Sequence, residues 1–135
     1  MSKVEKLLKK SGYSDTAIDY YTKKLNVGEI ENPSVFLGYT GPCGDTMEFY
    51  LKIESGVIKE VKFQAIGCAA SYASGSAVAE MIKGKTLEHA LAINVEDIMN
   101  HLGGLPDQKV HCALLAKRTL ERTIGKYKKM LVNES

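Results

Sequence analysis

The feature that most constrains this sequence is a strict two-residue alternation. It runs through Thr46-Met47-Glu48-Phe49-Tyr50-Leu51-Lys52-Ile53-Glu54 and resumes after Ser55-Gly56. Met47, Phe49, Leu51 and Ile53 fall on one face, while Glu48, Lys52 and Glu54 fall on the other, because successive strand side chains point to opposite sides. Ser55-Gly56 between two such runs reads as a hairpin turn, and the returning strand directs Val57, Val61, Phe63 and Ala65 inward. A further short strand from Val35 to Tyr39 makes three. The expected fold class is α+β: a three-stranded antiparallel sheet packed by helices, in a single domain of 135 residues. That length suffices to bury roughly 65–70% of the unfolded surface in one core.

The covering helices have readable starts and stops. Met1 to Gly12 carries Lys3, Lys6, Lys9 and Lys10 with Val4, Leu7 and Leu8, and reads as a partly ordered amphipathic segment. Ser14 caps a second helix with Ala17, Ile18, Tyr21 and Leu25 on one face, ended by Asn26-Val27-Gly28. Ala69 to Lys83 is a helix whose first half is nearly all small residues, suited to close packing. Thr86 and Asn94 cap two short helices, and Gly103-Gly104 ends the second. Pro106 and Asp107 open the longest helix, with Val110, Ala113, Leu114, Leu120, Ile124, Tyr127 and Leu131 as its expected core face. Its many Lys and Arg residues suit either a solvated, dipole-complementing face or a docking patch.

Composition narrows the function. A net charge of +2 gives no argument for nucleic acid. No run of about 18 apolar residues suggests a membrane span, and the first ten residues lack the centre of a signal peptide, so a cytoplasmic location is expected. Three cysteines in a reducing compartment point away from a disulfide framework and toward metal or thiol chemistry. Cys43 lies in Gly41-Pro42-Cys43-Gly44-Asp45 at the start of one hairpin strand, and Cys68 lies just beyond the end of the other. The hairpin therefore brings these two thiols to one edge. His111-Cys112 follows the start of the last helix, where unpaired N–H groups favour a thiolate. Cys43, Asp45, Cys68, His111 and Cys112 are the candidate ligands of one soft-metal site, zinc or iron–sulfur in type. Adjacent His111 and Cys112 are a poor catalytic pair, because neighbours on a helix point about 100° apart.

These residues carry a resemblance. Asn26-Val27-Gly28-Glu29-Ile30-Glu31-Asn32-Pro33, Cys43-Gly44-Asp45, Gly67-Cys68-Ala69, Lys83-Gly84-Lys85-Thr86-Leu87 and Gly103-Gly104-Leu105-Pro106 leading to Lys109-Val110-His111-Cys112 closely resemble the iron–sulfur cluster assembly scaffolds of the IscU family and the N-terminal domain of NifU. The similarity runs from about Tyr13 to Tyr127. It implies a NifU/SufE-like fold with a basic N-terminal extension over residues 1–12, a scaffold domain over 13–131 and a tail over 132–135.

The resemblance also implies a function. Cys43, Cys68 and Cys112 would hold a transient [2Fe–2S] cluster with Asp45 or His111 at the fourth position, and the resting form would hold iron or Zn2+. The protein would be a scaffold and cluster carrier without enzymatic turnover. Its partners would be a pyridoxal-phosphate cysteine desulfurase and recipient apo iron–sulfur proteins, with a homodimer left open. Cys112, read as an exposed thiolate at its helix start, is the expected persulfide acceptor. The family's Leu-Pro-Pro-Val-Lys segment reads Leu105-Pro106-Asp107-Gln108-Lys109 here, which weakens the expectation of an Hsp70-type chaperone. The alternative is a zinc-bound sulfur acceptor of the SufU type. Those relatives carry an insertion before the last cysteine and an Arg in place of His111, and this chain has neither.

Overall fold

The computed structural model describes residues 2–134; Met1 and Ser135, the outer ends of the expected extension and tail, lie outside the described residues. Two helices, α1 (Lys3–Lys10) and α2 (Asp15–Thr22), precede the strands β1 (Val35–Thr40), β2 (Thr46–Glu54) and β3 (Val57–Ile66). Then follow α3 (Ala69–Ile82), α4 (Leu87–Ala92), α5 (Val95–Leu102), a 3-10 turn at Asp107–Lys109 and α6 (Val110–Glu134). Among the described residues no helix is long and apolar enough to cross a membrane.

The sheet is an antiparallel meander in the order β1-β2-β3. Ser55 and Gly56 both adopt positive φ, 53° and 75°, which is the tight hairpin geometry that matches the strands' own twist. Met47, Phe49, Leu51 and Ile53 are buried, as the alternation requires. One inward assignment is corrected. Ile58, not Val57, is fully buried, because the pairing shifts between Lys52 and Ile53: Lys52 faces Glu60 but Ile53 faces Ile58. The extra residue on β3 reverses which side chain points inward beyond it. Val57 instead lies in an isolated bridge to Thr86.

Helices α3 and α6 cover the inner face of the sheet, with α2 and α5 packed against α3. The caps expected at Ser14, Thr86 and Asn94 are all present, each side chain accepting a backbone N–H three residues on. Helix α1 is a complete two-turn helix with a Ser2–Glu5 capping box rather than a partly ordered segment. Small residues let α3 approach closely: a Cβ on Gly75 would stand 2.6 Å from the Phe63 ring.

The last helix keeps Ala113, Leu120 and Ile124 inward as expected but differs from its sequence reading at both ends. Val110 and Leu131 are exposed, at 37% and 48%, and the buried face is Cys112, Ala113, Leu115, Ala116, Thr119, Leu120, Thr123 and Ile124. Thr119 and Thr123 satisfy their hydroxyls by donating to the carbonyls of Leu115 and Thr119, each at 2.7 Å, so two hydroxyls sit in the apolar face without loss.

Two glycine variants test this packing. Gly75→Ala overpacks the α3–sheet contact and should cost about 1–3 kcal/mol. Gly125→Ala, in the interior of α6 with nothing within 4 Å of the added Cβ, should gain about 0.5–1 kcal/mol. Urea midpoints moving in opposite directions would bear this out; a neutral Gly75→Ala would refute the close contact.

Candidate metal centre

The site begins with strand pairing. Thr46 is opposite Ile66, so the residues just outside the sheet, Asp45 and Gly67, come side by side. A Cβ on Gly67 would lie 2.5 Å from Asp45 Oδ2, so only glycine leaves room for this carboxylate. The turn before β2 is closed by two backbone bonds: the Gly41 N–H donates to the Asp45 carbonyl at 2.9 Å, and the Gly44 N–H to the Gly41 carbonyl at 3.0 Å. Gly44 has φ +91°, a conformation other residues rarely adopt. Cys68 is the N-cap residue of α3, and the first turn of α6 lays Cys112 across it.

Asp45, Cys68 and Cys112 present their ligand atoms within 4.8 Å of one another. The two sulfurs are 3.6 Å apart and not bonded, and Cys68 Sγ is 3.8 Å from Asp45 Oδ2. Ligands placed 2.0–2.3 Å from one tetrahedral ion stand about 3.3–3.8 Å from each other, so these separations are those of a metal's ligand edge. Soft sulfur with one hard oxygen also suits zinc or iron.

The other two sequence candidates stand together elsewhere. Cys43 and His111 are exposed and line a neighbouring apolar cavity of about 180 Å3, bounded by Tyr39, Leu115 and Arg118. The structure therefore gathers three of the five candidates tightly and sets the remaining two in the next cavity.

One proton organises the sulfurs. The Cys68 thiol is pulled down to about 5, chiefly because the Cys112 thiol donates a hydrogen bond to its thiolate. Desolvation opposes this, while the amides of Ser71 and Ala70 and the Ser71 hydroxyl assist. Cys112 is pushed up, first by holding its proton for Cys68 and then by burial. The expectation of an exposed thiolate at Cys112 is thus corrected: its side chain faces the core at 0% exposure, and the helix-start thiolate is Cys68 at α3.

Two participants were not visible in the sequence. Ser71, read as a small packing residue, donates to Asp45 Oδ2 at 2.6 Å and fixes the carboxylate beside the sulfurs. Tyr13 is buried close enough to both thiols that desolvation, and then their charges, raise its phenol to about 12, so it stays protonated. Neither lies in a spacing that announces a ligand.

Residues 12–133 match the family model of the NifU-like N-terminal domain. The chain belongs to that family. It is 44% identical over 116 residues to the iron–sulfur cluster assembly scaffold protein IscU 1 of Archaeoglobus fulgidus, covering 85% of this chain and 76% of that one. To the IscU scaffold of Escherichia coli K12 it is 39% identical over 121 residues, covering 86% and 94%. A crystal structure from Fervidobacterium islandicum AW-1, described as a SUF-system cluster assembly scaffold, superposes with a TM-score of 0.70 at 31% identity over 82% of this chain and 95% of that one. The three-stranded sheet with its covering helices is the fold these NifU-like relatives share.

For this NifU-like domain the shared proton is directly measurable. In metal-free protein, thiolate absorbance at 240 nm should show a step near pH 5 that Cys68→Ala abolishes. Cys112→Ala removes the donor and should move that step up toward the ordinary cysteine value of about 8.5. A step near pH 5 that persists in Cys112→Ala would contradict the sulfur–sulfur hydrogen bond.

Proposed function

We propose that this protein is a scaffold on which a [2Fe–2S] cluster is assembled and from which it is passed to apo-proteins. The observation that carries this reading is the Asp45–Cys68–Cys112 group, whose ligand atoms lie within 4.8 Å of one another with Cys68 at ligand-edge distance from both others, in a chain whose relatives are named as IscU scaffolds. The cluster is cargo. Cys68 and Cys112 bind its iron once the single proton between them is released, and Cys43, in the same turn as Asp45, swings in from the adjoining cavity as the third thiolate.

Asp45 is our fourth ligand in preference to His111, since its carboxylate already stands beside Cys68 while the imidazole lines the adjoining cavity. A hard oxygen among soft thiolates makes the bound cluster exchangeable, which a carrier needs.

Sulfur comes, on this reading, from the persulfide of a pyridoxal-phosphate cysteine desulfurase. Of the three thiols Cys43 is the exposed one, so a partner's persulfide reaches it without opening the fold. Its thiolate attacks the terminal sulfur, the partner's S–S bond breaks, and the partner's cysteine leaves as thiolate. Reduction of that sulfur to sulfide then takes two electrons from an external thiol or electron carrier.

Anaerobic reconstitution with iron, cysteine and a cysteine desulfurase tests the proposal. The parent should gain a visible cluster with equal iron and sulfide. Cys43→Ala, Cys68→Ala and Cys112→Ala should each lose it, whereas Asp45→Ala should hold it longer. Gly67→Ala, which drives the carboxylate out of place, should behave like Asp45→Ala. Tightly held zinc with sulfur ending on one thiol and no cluster would replace the scaffold by a zinc-bound sulfur acceptor.

A further inference from the structure

The two edges of the sheet are treated differently. The outer edge of β3 is closed by backbone: the Gly28 N–H donates to the Phe63 carbonyl at 2.9 Å, the Phe63 N–H to the Asn26 carbonyl at 3.0 Å, and the Ile58 N–H to the Lys85 carbonyl at 2.8 Å. The outer edge of β1 has no strand beside it among the described residues. Between that edge and α6 lies an open crevice of about 470 Å3. An unpaired edge is a template for another extended chain unless it is blunted or covered.

The crevice is strongly basic. Arg122, Lys126 and Lys129 line it, and Arg118 continues the row one turn earlier toward the Cys43 cavity. None of the four has a carboxylate within ion-pair distance; the only ion pairs among the described residues are Lys9–Asp15 and Lys23–Asp19. Glu121, the one acidic residue on this stretch of α6, pairs with none of them. Glu48, across the sheet from Gly38, accepts instead from the Tyr50 hydroxyl at 3.2 Å.

Two of the cations are held in place by β1 itself. The Arg122 guanidinium lies 4.4 Å from the centre of the Tyr39 ring. Lys126 Nζ stands 5.1 Å from the Phe36 ring centre and donates to the Phe36 carbonyl at 3.0 Å. Such contacts fix the direction of a cation without neutralising it. The Phe36 ring, 47% exposed and stacked on Tyr50 at 5.5 Å, adds an apolar surface at the same edge.

We infer that the β1 edge and the basic face of α6 form a docking crevice for an extended, acidic segment of a partner protein. Backbone pairing with β1 beyond the Phe36 carbonyl, which Lys126 already fills, supplies the edge hydrogen bonds, and Arg118, Arg122, Lys126 and Lys129 take carboxylates of the segment. A protein segment is favoured over nucleic acid because the cations flank an unpaired strand edge, which main-chain amides satisfy and a phosphate backbone does not. The inference stands independently of the cluster-scaffold reading.

The test uses a fluorescein-labelled ten-residue peptide alternating Glu and Val, with a Gln/Val peptide and a ten-nucleotide thymidine strand as comparisons. Binding is read by anisotropy and mapped by amide chemical shifts in the full chain. The Glu/Val peptide should bind with shifts confined to residues 35–40 and 118–129, and the Gln/Val peptide should bind at least tenfold more weakly. Arg122→Gln and Lys126→Gln should each weaken binding about fivefold, the worth of an exposed charge pair, with melting temperatures lowered by no more than about 4–8 °C through the lost contacts with β1. No binding, shifts outside these segments, insensitivity to both substitutions, or tighter binding of the oligonucleotide would each overturn the inference.

Discussion

The pairing of β2 with β3 is the constraint on which the rest of the structure depends. Its register sets which side chains face α3 and α6, and it also sets which residues emerge together at the far end of the hairpin. With Thr46 opposite Ile66, Asp45 must meet Gly67 and Cys68. A slip of one residue would turn either Phe49 or Phe63 outward and part the carboxylate from the thiol at once. Fold and site are therefore specified by the same hydrogen bonds. The one irregularity, at Lys52/Ile53, lies toward the Ser55-Gly56 turn and leaves the ladder between it and the site in regular register.

Electrostatics at that end follow from placing a buried thiol, a half-buried thiol and a half-buried carboxylate close together. Three negative charges confined within 4.8 Å would be costly, and the arrangement avoids them by keeping one proton on Cys112 and a Ser71 hydroxyl on Asp45. On the proposed reading, a metal ion would take over the role of that proton: Cys112 would release it on binding, so affinity would rise with pH until that thiol is free of it. Cys68, held as a thiolate by the Cys112 hydrogen bond, would then be the first ligand.

Much of this was legible because it was local. Alternation, the Ser55-Gly56 turn and the three side-chain caps depend on residues within a few positions of each other, and the structure has them where the sequence puts them. The errors came where a distant element decides. Val57 was placed inward by strict alternation, but its position is set by the shift in pairing and the bridge to Thr86. On α6 the periodicity places Ala113, Leu120 and Ile124 inward, as the structure has them, but it also places Val110 and Leu131 there and passes over Cys112, Leu115, Ala116 and the two threonines. Ala113, Ala116 and two self-satisfied threonines let it lie close to the sheet, and Cys112 goes inward with them. Ser71 was hidden for a related reason: a serine within a run of small residues gives no sign of whether it packs or donates.

The basic row on α6 shows how one sequence pattern acquires different meanings by position. Lys and Arg in the last turns of a helix complement its dipole wherever they point. Arg118 and Arg122 lie in the middle of α6, beyond the reach of the dipole's end, and Arg122 is oriented by an aromatic ring of β1. Tyr39 borders both the basic crevice and the cavity that contains Cys43, so an occupant of the β1 edge would rest on the strand that leads directly into the Cys43 turn. The free edge and the exposed thiol thus belong to one continuous surface, built by β1 and read from opposite ends.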